Sequence, residues 1–387
     1  MIKVFPMVIP GLLWGALLAA VPAFGAATGS AALSAPVAMA LPASIPAPAP
    51  VPEPVRRAEA ARNPALIYGD QVLNEDTVWR GEVLVEGVLA VAPQATLSVE
   101  PGTVVRFRRK GVQAPSLVVQ GRLVAVGTKD APVLFTSNFA EPVAGDWQGI
   151  LLLGSEKKNQ LENCRIEGAE TGLEVLFSNV TLKGVRAERG TIGMKFQDAL
   201  VVMDGGGVSE CDTALRFSES EATLRNLSLT ANRRGLSALR SSIYLLDGLF
   251  SGNQSAAFSG DSCKVKIQGG ALLGNGSGLM LLGSEGSVTG VKLMKNREFG
   301  LSLAASRVRV NGSVITGNGN NGLIAADGAA VVWDNAIYEN AGYDLYYAGV
   351  EEFRAPANWW GGAVPKIYDN GGRGRVLYAP VLAARPR

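Results

Sequence analysis

Residues 213–232 read TALRFSESEATLRNLSLTAN, residues 234–253 read RGLSALRSSIYLLDGLFSGN and residues 256–275 read AAFSGDSCKVKIQGGALLGN. Set beneath one another, the strings align four columns: Leu215, Leu236 and Phe258; Leu224, Leu245 and Ile267; Leu229, Phe250 and Leu272; Asn232, Asn253 and Asn275. The columns extend in both directions. The first runs through Leu173, Met194, Leu215, Leu236, Phe258, Leu279, Leu301, Leu323 and Leu345, in steps of 21 or 22 residues. The second runs from Leu182 to Val332 with the same steps in the same order, and the third from Ile166 to Ile337. Such a period marks a repeat architecture.

Around each column, apolar and polar residues alternate, as in Leu173-Glu174-Val175, Ile243-Tyr244-Leu245 and Val308-Arg309-Val310. A period of two describes a strand with one buried face. Each repeat therefore holds three short strands separated by turns. It is too short for a propeller blade and lacks a leucine-rich consensus, but it fits one rung of a parallel β-helix. The fold class read from the repeat is all-β: a parallel β-helix with three short strands per rung of 21–22 residues. The fourth column, Asn232, Asn253, Asn275, Asn296, Asn318 and Asn340, reads as a structural ladder of stacked amides, with asparagine tolerating a left-handed turn. Cys211 stands one rung earlier in that column and reads as a buried thiol.

No proline occurs between Pro142 and Pro356, which suits uninterrupted strands. Residues 66–150 carry the same strand grammar with longer turns, and read as an N-terminal cap (66–80) followed by the first rungs. Residues 151–350 hold the regular rungs, and residues 351–387 read as a C-terminal cap. Upstream, Lys3 precedes an apolar run from Val4 to Ala27, and Ala23-Phe24-Gly25 offers the small residues of a cleavage site. Residues 1–27 thus read as a signal peptide, with an uncleaved membrane anchor as the alternative. Residues 28–65 form an Ala/Pro-rich linker, stiff and extended around Pro42–Pro54. The expected location is periplasmic or extracellular.

Composition narrows the function. The 387 residues include 36 Lys plus Arg and 34 Asp plus Glu, a net charge of +2, which argues against a nucleic-acid partner. Histidine is absent, so no Ser-His-Asp triad, Cys-His dyad or His-ligated metal site can be built. Cys164, Cys211 and Cys263 are too scattered for a cysteine-rich zinc site or a disulfide framework. No metal and no cofactor are expected.

Ala95-Thr-Leu-Ser-Val-Glu-Pro-Gly-Thr-Val-Val-Arg-Phe107, Leu123-Val-Ala-Val-Gly-Thr-Lys-Asp-Ala-Pro-Val-Leu-Phe-Thr-Ser137, Asp146-Trp-Gln-Gly-Ile150, the Gly-Asn-Gly turns at Asn275 and Asn318, and Asn358-Trp-Trp-Gly361 resemble secreted bacterial right-handed parallel β-helix proteins with the pectate-lyase-like fold. The resemblance spans about residues 70–365. It implies the fold; it does not imply one function, because that group mixes enzymes, adhesins and structural parts. The enzymes it includes use paired aspartates with a histidine, or calcium-binding acidic residues with an Arg-x-Pro-x-x-Arg motif. This chain has no histidine and no Asp-Asp pair, and Arg354-Ala-Pro356 lacks the second arginine. The missing histidine also disfavours a copper-handling role.

Two constellations stand out. Asp198, Glu219 and Arg240 lie four residues past the first column on successive rungs, which stacks the two carboxylates about 5 Å apart, near the separation of a retaining glycosidase pair. The competing reading is that all three are solvated turn charges. The second is an outward strip, Met280, Ile324 and Tyr346, next to an aromatic cluster that includes Tyr343, Tyr347, Trp359 and Trp360. Exposed rings stack on sugars or anchor partners, although the two tryptophans also suit a plug of the last rung. The preferred reading is a carbohydrate- or envelope-binding or structural module without conventional catalytic residues, its partner a polysaccharide or a cell-envelope component. The alternative is a polysaccharide lyase or glycoside hydrolase.

Overall fold

The computed structural model describes residues 57–59, 64, 66–362 and 364–386. The signal peptide and nearly all of the linker expected at the N-terminus lie outside the described residues.

The described body is a stack of parallel strands forming three sheets, with no helix among the described residues. Sheet 1 contains thirteen strands, from Leu66–Tyr68 to Ala336–Tyr338. Sheet 2 starts at Gln71–Leu73 and ends at Ile367–Asp369; sheet 3 starts at Thr77–Trp79 and ends at Arg375–Leu377. One long strand, Leu301–Asn311, bends through both and joins sheets 2 and 3. Every strand pairs in parallel with the strand one rung away, so each rung visits sheets 1, 2 and 3 in turn.

The alignment of columns becomes the register of the sheets. Leu173 pairs with Met194, Met194 with Leu215, and so on to Leu345 in sheet 2. The second column fills sheet 3 and the third fills sheet 1. All three point inward, and Leu215, Leu224 and Leu229 of one rung are fully buried. Burying this much aliphatic surface drives the stack, at roughly 25 cal/mol per Å² of apolar area removed from water.

In the regular rungs, the corners between sheets 1 and 2 and between sheets 2 and 3 each turn at a residue with positive φ. Between sheets 1 and 2 it is Arg189, Glu210, Ala231 and their successors, and between sheets 2 and 3 it is Phe177, Asp198, Glu219 and Arg240. The ladder asparagines do not take this conformation, contrary to the left-handed turn the sequence suggests. The residue before each of them does, as at Ala231, Gly252, Gly274 and Lys295. That leaves the Asn side chain pointing into the interior. Asn253 Nδ2 donates to Asn275 Oδ1 (2.8 Å) and to Leu229 O (3.0 Å), and its backbone N donates to Asn275 Oδ1 (3.0 Å). The pattern repeats from Asn232 to Asn340.

Both ends differ from simple caps. Residues 66–79 form a rung of their own, in register with the next. At the other end, Glu352–Arg354, Ile367–Asp369 and Arg375–Leu377 extend sheets 2 and 3. The segment before the first rung straps the side of the stack. Arg57 bridges to Asp146 (2.6 Å) and lies over the Phe139 ring at 4.3 Å, while Ala58 O accepts from Ala140 N (3.0 Å).

The three cysteines are free and buried. Desolvation pushes the Cys164 thiol up to about 12 and the Cys211 thiol up to about 11, and raises Cys263. Since the thiolate is the nucleophile, the native protein should resist alkylation at mildly alkaline pH and take up label at all three thiols once denatured. Mass spectrometry after iodoacetamide treatment reads this directly. Labelling of the native protein would contradict the burial.

Candidate functional site

Along a strand the inward side chains are committed to packing, so any chemistry must come from the outward ones. Sheet 3 is the face on which they line a groove, with a volume of about 860 Å³. Register sets its order. One column of outward residues is Val202, Thr223, Tyr244, Lys266, Ser287, Arg309 and Val331; beside it runs Leu200, Glu221, Ser242, Lys264, Glu285 and Arg307. Six rung steps separate Val202 from Val331, about 29 Å at a strand spacing of about 4.8 Å.

Four cations, Lys264, Lys266, Arg307 and Arg309, face two carboxylates, Glu221 and Glu285, in this lining. Lys264 approaches Glu285 at 3.8 Å. Lys266 Nζ lies over the Tyr244 ring at 5.0 Å, and the Tyr244 hydroxyl donates to Gln268 Oε1 at 3.0 Å. Among the described residues no carboxylate pairs with Lys266, Arg307 or Arg309. The groove thus offers an aromatic ring followed by uncompensated positive charge, at a concave surface where the field of one sign is concentrated.

Asp198, Glu219 and Arg240 do stack on successive rungs, at the corner between sheets 2 and 3. Their backbones are joined to the next rung through Asp198 N to Ser218 O, Glu219 N to Leu239 O and Arg240 N to Asp261 O. Arg240 Nε donates to Glu219 Oε1 (2.9 Å) on an exposed surface. None of the three belongs to the groove lining. Directly behind them runs a second ladder that the sequence reading missed: Ser155 N to Ser178 Oγ (2.9 Å), Ala199 N to Ser220 Oγ (3.2 Å), Ser220 N to Ser241 Oγ (3.1 Å), Cys263 N to Ser284 Oγ (3.0 Å) and Ser284 N to Ser306 Oγ (3.1 Å). Its signal was the recurrence of serine at the rung period.

The other constellation lies on sheet 2. Met280 is exposed and Ile324 and Tyr346 are half-buried, all pointing outward. Tyr346 is not left to water: it stacks on Tyr368 of the following strand, with ring centroids 4.5 Å apart, and Tyr343 leans on both. Tyr347 points inward against Phe353. Trp360 is buried in the core, and Trp359 packs on Tyr338.

Residues 70–197 match the family model described as a pectate-lyase like beta helix domain, and residues 207–342 the one described as a right handed beta helix region. With the three-sheet stack, this defines the class: a right-handed parallel β-helix. The pectate-lyase-like likeness is carried by residues 70–197. No curated protein matches it. Similar solved structures include the A-module of a mannuronan C-5 epimerase from Azotobacter vinelandii, 14% identical over 76% of this chain and 92% of that one, with a TM-score of 0.44. A double mutant of a periplasmic alginate epimerase is 11% identical over 79% and 78%, TM-score 0.43. An alginate lyase from Paenibacillus sp. is 12% identical over 75% and 93%, TM-score 0.33.

Proposed function

We propose that the protein is an exported, non-catalytic module that binds an acidic polysaccharide of the cell envelope or its surroundings lengthwise along the outer face of sheet 3. The observation that carries this reading is the groove, in which Lys266, next to Tyr244, and Arg307 and Arg309, two rungs further along, have no carboxylate partner. A linear polymer matches a linear face. Its anionic groups meet cations that no carboxylate pairs, and Tyr244 supplies a ring for a sugar to stack upon. The groove has no histidine and its two carboxylates, Glu221 and Glu285, sit in one outer column three rung steps apart, about 14 Å along the stack, which supports binding rather than hydrolysis there. Export rests on the apolar run from Val4 to Ala27.

The test is binding of polygalacturonate and of neutral dextran to the purified protein. Polygalacturonate should bind, weaken as salt rises through screening, and lose on the order of ten-fold or more in affinity with Lys266→Ala plus Arg309→Ala, since charge-assisted contacts contribute about 1.5–3 kcal/mol each. Asp198→Asn plus Glu219→Gln should leave binding unchanged. Equal binding of dextran would overturn the reading. So would cleavage of the polysaccharide that the Asp198/Glu219 variant abolishes, which would establish the lyase or hydrolase alternative.

A further inference from the structure

The cationic stretch occupies only part of the groove. At its N-terminal end the outward side chains turn apolar: Leu200 is 50% exposed and Val202 41% exposed, in the strand that pairs with Asn179–Lys183. Phe177, 60% exposed, stands at the corner just before that neighbouring strand. Phe177 also has φ of 50°, a conformation that bulky residues seldom adopt. Isolated exposed apolar residues are ordinary, but here three large ones lie on adjacent rungs, two of them, Leu200 and Val202, in the groove lining itself. The order along the stack is Phe177, then Leu200 and Val202, then Tyr244, then Lys266 and Arg309.

We propose that the ligand of this groove is an amphipathic acidic glycan: an anionic saccharide bearing an alkyl or acyl chain, with that chain against Phe177, Leu200 and Val202 and its charged sugars over Lys266 and Arg309. The inference rests on the groove reading above and names its ligand more closely. Three features select this occupant. Charge complementarity at Lys266, Arg307 and Arg309 calls for an anion. The apolar residues stand on the same axis about 14 Å away, three rung steps from Val202 to Lys266, so one elongated molecule spans both. A peptide strand is disfavoured, because the backbone groups of these strands are already paired to the rungs on either side and a sheet face offers no edge to extend.

The experiment compares three probes on the full chain by calorimetry: a hexagalacturonate oligosaccharide, the same oligosaccharide carrying an octyl group at its reducing end, and octyl glucoside. The alkylated acid should bind on the order of ten-fold tighter than the plain one, since each methylene buried is favourable. Leu200→Ser plus Val202→Ser should abolish that difference, with the melting temperature showing the variant folded. Equal binding of the plain and alkylated acids overturns the amphipathic ligand and leaves the acidic-glycan reading standing. Binding of neither acid overturns both. Octyl glucoside binding as tightly as the alkylated acid overturns the proposed charge contact. An alkyl gain that survives the double substitution overturns the placement of the chain.

Discussion

Asn275→Leu is expected to lower stability by about 3 kcal/mol or more, because the substitution strands several buried groups at about 1–3 kcal/mol each. Asn275 Oδ1 accepts from both Asn253 N (3.0 Å) and Asn253 Nδ2 (2.8 Å), and Asn275 Nδ2 donates to Phe250 O (2.9 Å) and Asn296 Oδ1 (3.1 Å). Asn275 is fully buried, so water cannot replace these partners, and leucine offers no donor or acceptor. Its own N–H still donates to Asn296 Oδ1 (3.0 Å), so the ladder below is not broken by the substitution. The damage falls on the rung above, at Asn253. Asn296→Leu should behave alike, since its amide makes the same four contacts. Thermal or chemical unfolding of both variants measures the effect. Unchanged midpoints at both sites would remove the ladder as a source of stability.

The inward half of the fold is legible in the chain because every rung repeats the same packing demand. Leu215 occupies the place of Met194 and Leu236 because each fills the same slot, so a period read from apolar residues carries register with it. The outward half obeys no such demand. Tyr244, Lys266 and Arg309 share a column with Thr223 and Ser287, and nothing in their types announces a site until register sets them side by side. The carboxylate pair is conspicuous for the opposite reason: Asp198 and Glu219 are regular in spacing, and the structure sets both at corner positions with positive φ, Glu219 paired with Arg240 and neither in the groove lining. Tyr346 shows the limit at an irregular end. Alternation correctly turns it outward, but Tyr368, which covers it, follows a long crossing with no period to predict its position.

Gly286→Val should destabilise the protein by about 3 kcal/mol or more and weaken ligand binding in the groove, although the sequence columns argue for the reverse. Gly286, itself exposed in the groove lining, stands in a column otherwise made of the buried Val180, Val201, Ala222, Ile243, Val265 and Val308. By pattern alone, valine there would fill a missing place in the core. The backbone forbids it. Gly286 has φ of 135°, which side-chain-bearing residues rarely adopt, and a Cβ built there would lie 1.8 Å from Val265 O and 2.8 Å from its carbonyl carbon. Those are backbone atoms of a paired strand, so no rotamer change relieves the clash, and the strain of a forbidden φ alone costs about 1–3 kcal/mol. The only escape is for the rung to shift, and this rung lies between the two that carry Lys264 with Lys266 and Arg307 with Arg309. Moving it changes the spacing of the cations. Unfolding midpoints together with polygalacturonate titration of Gly286→Val test both effects: a raised midpoint would show that the column can accept a side chain here, and full affinity in a destabilised variant would show that the groove does not depend on this rung.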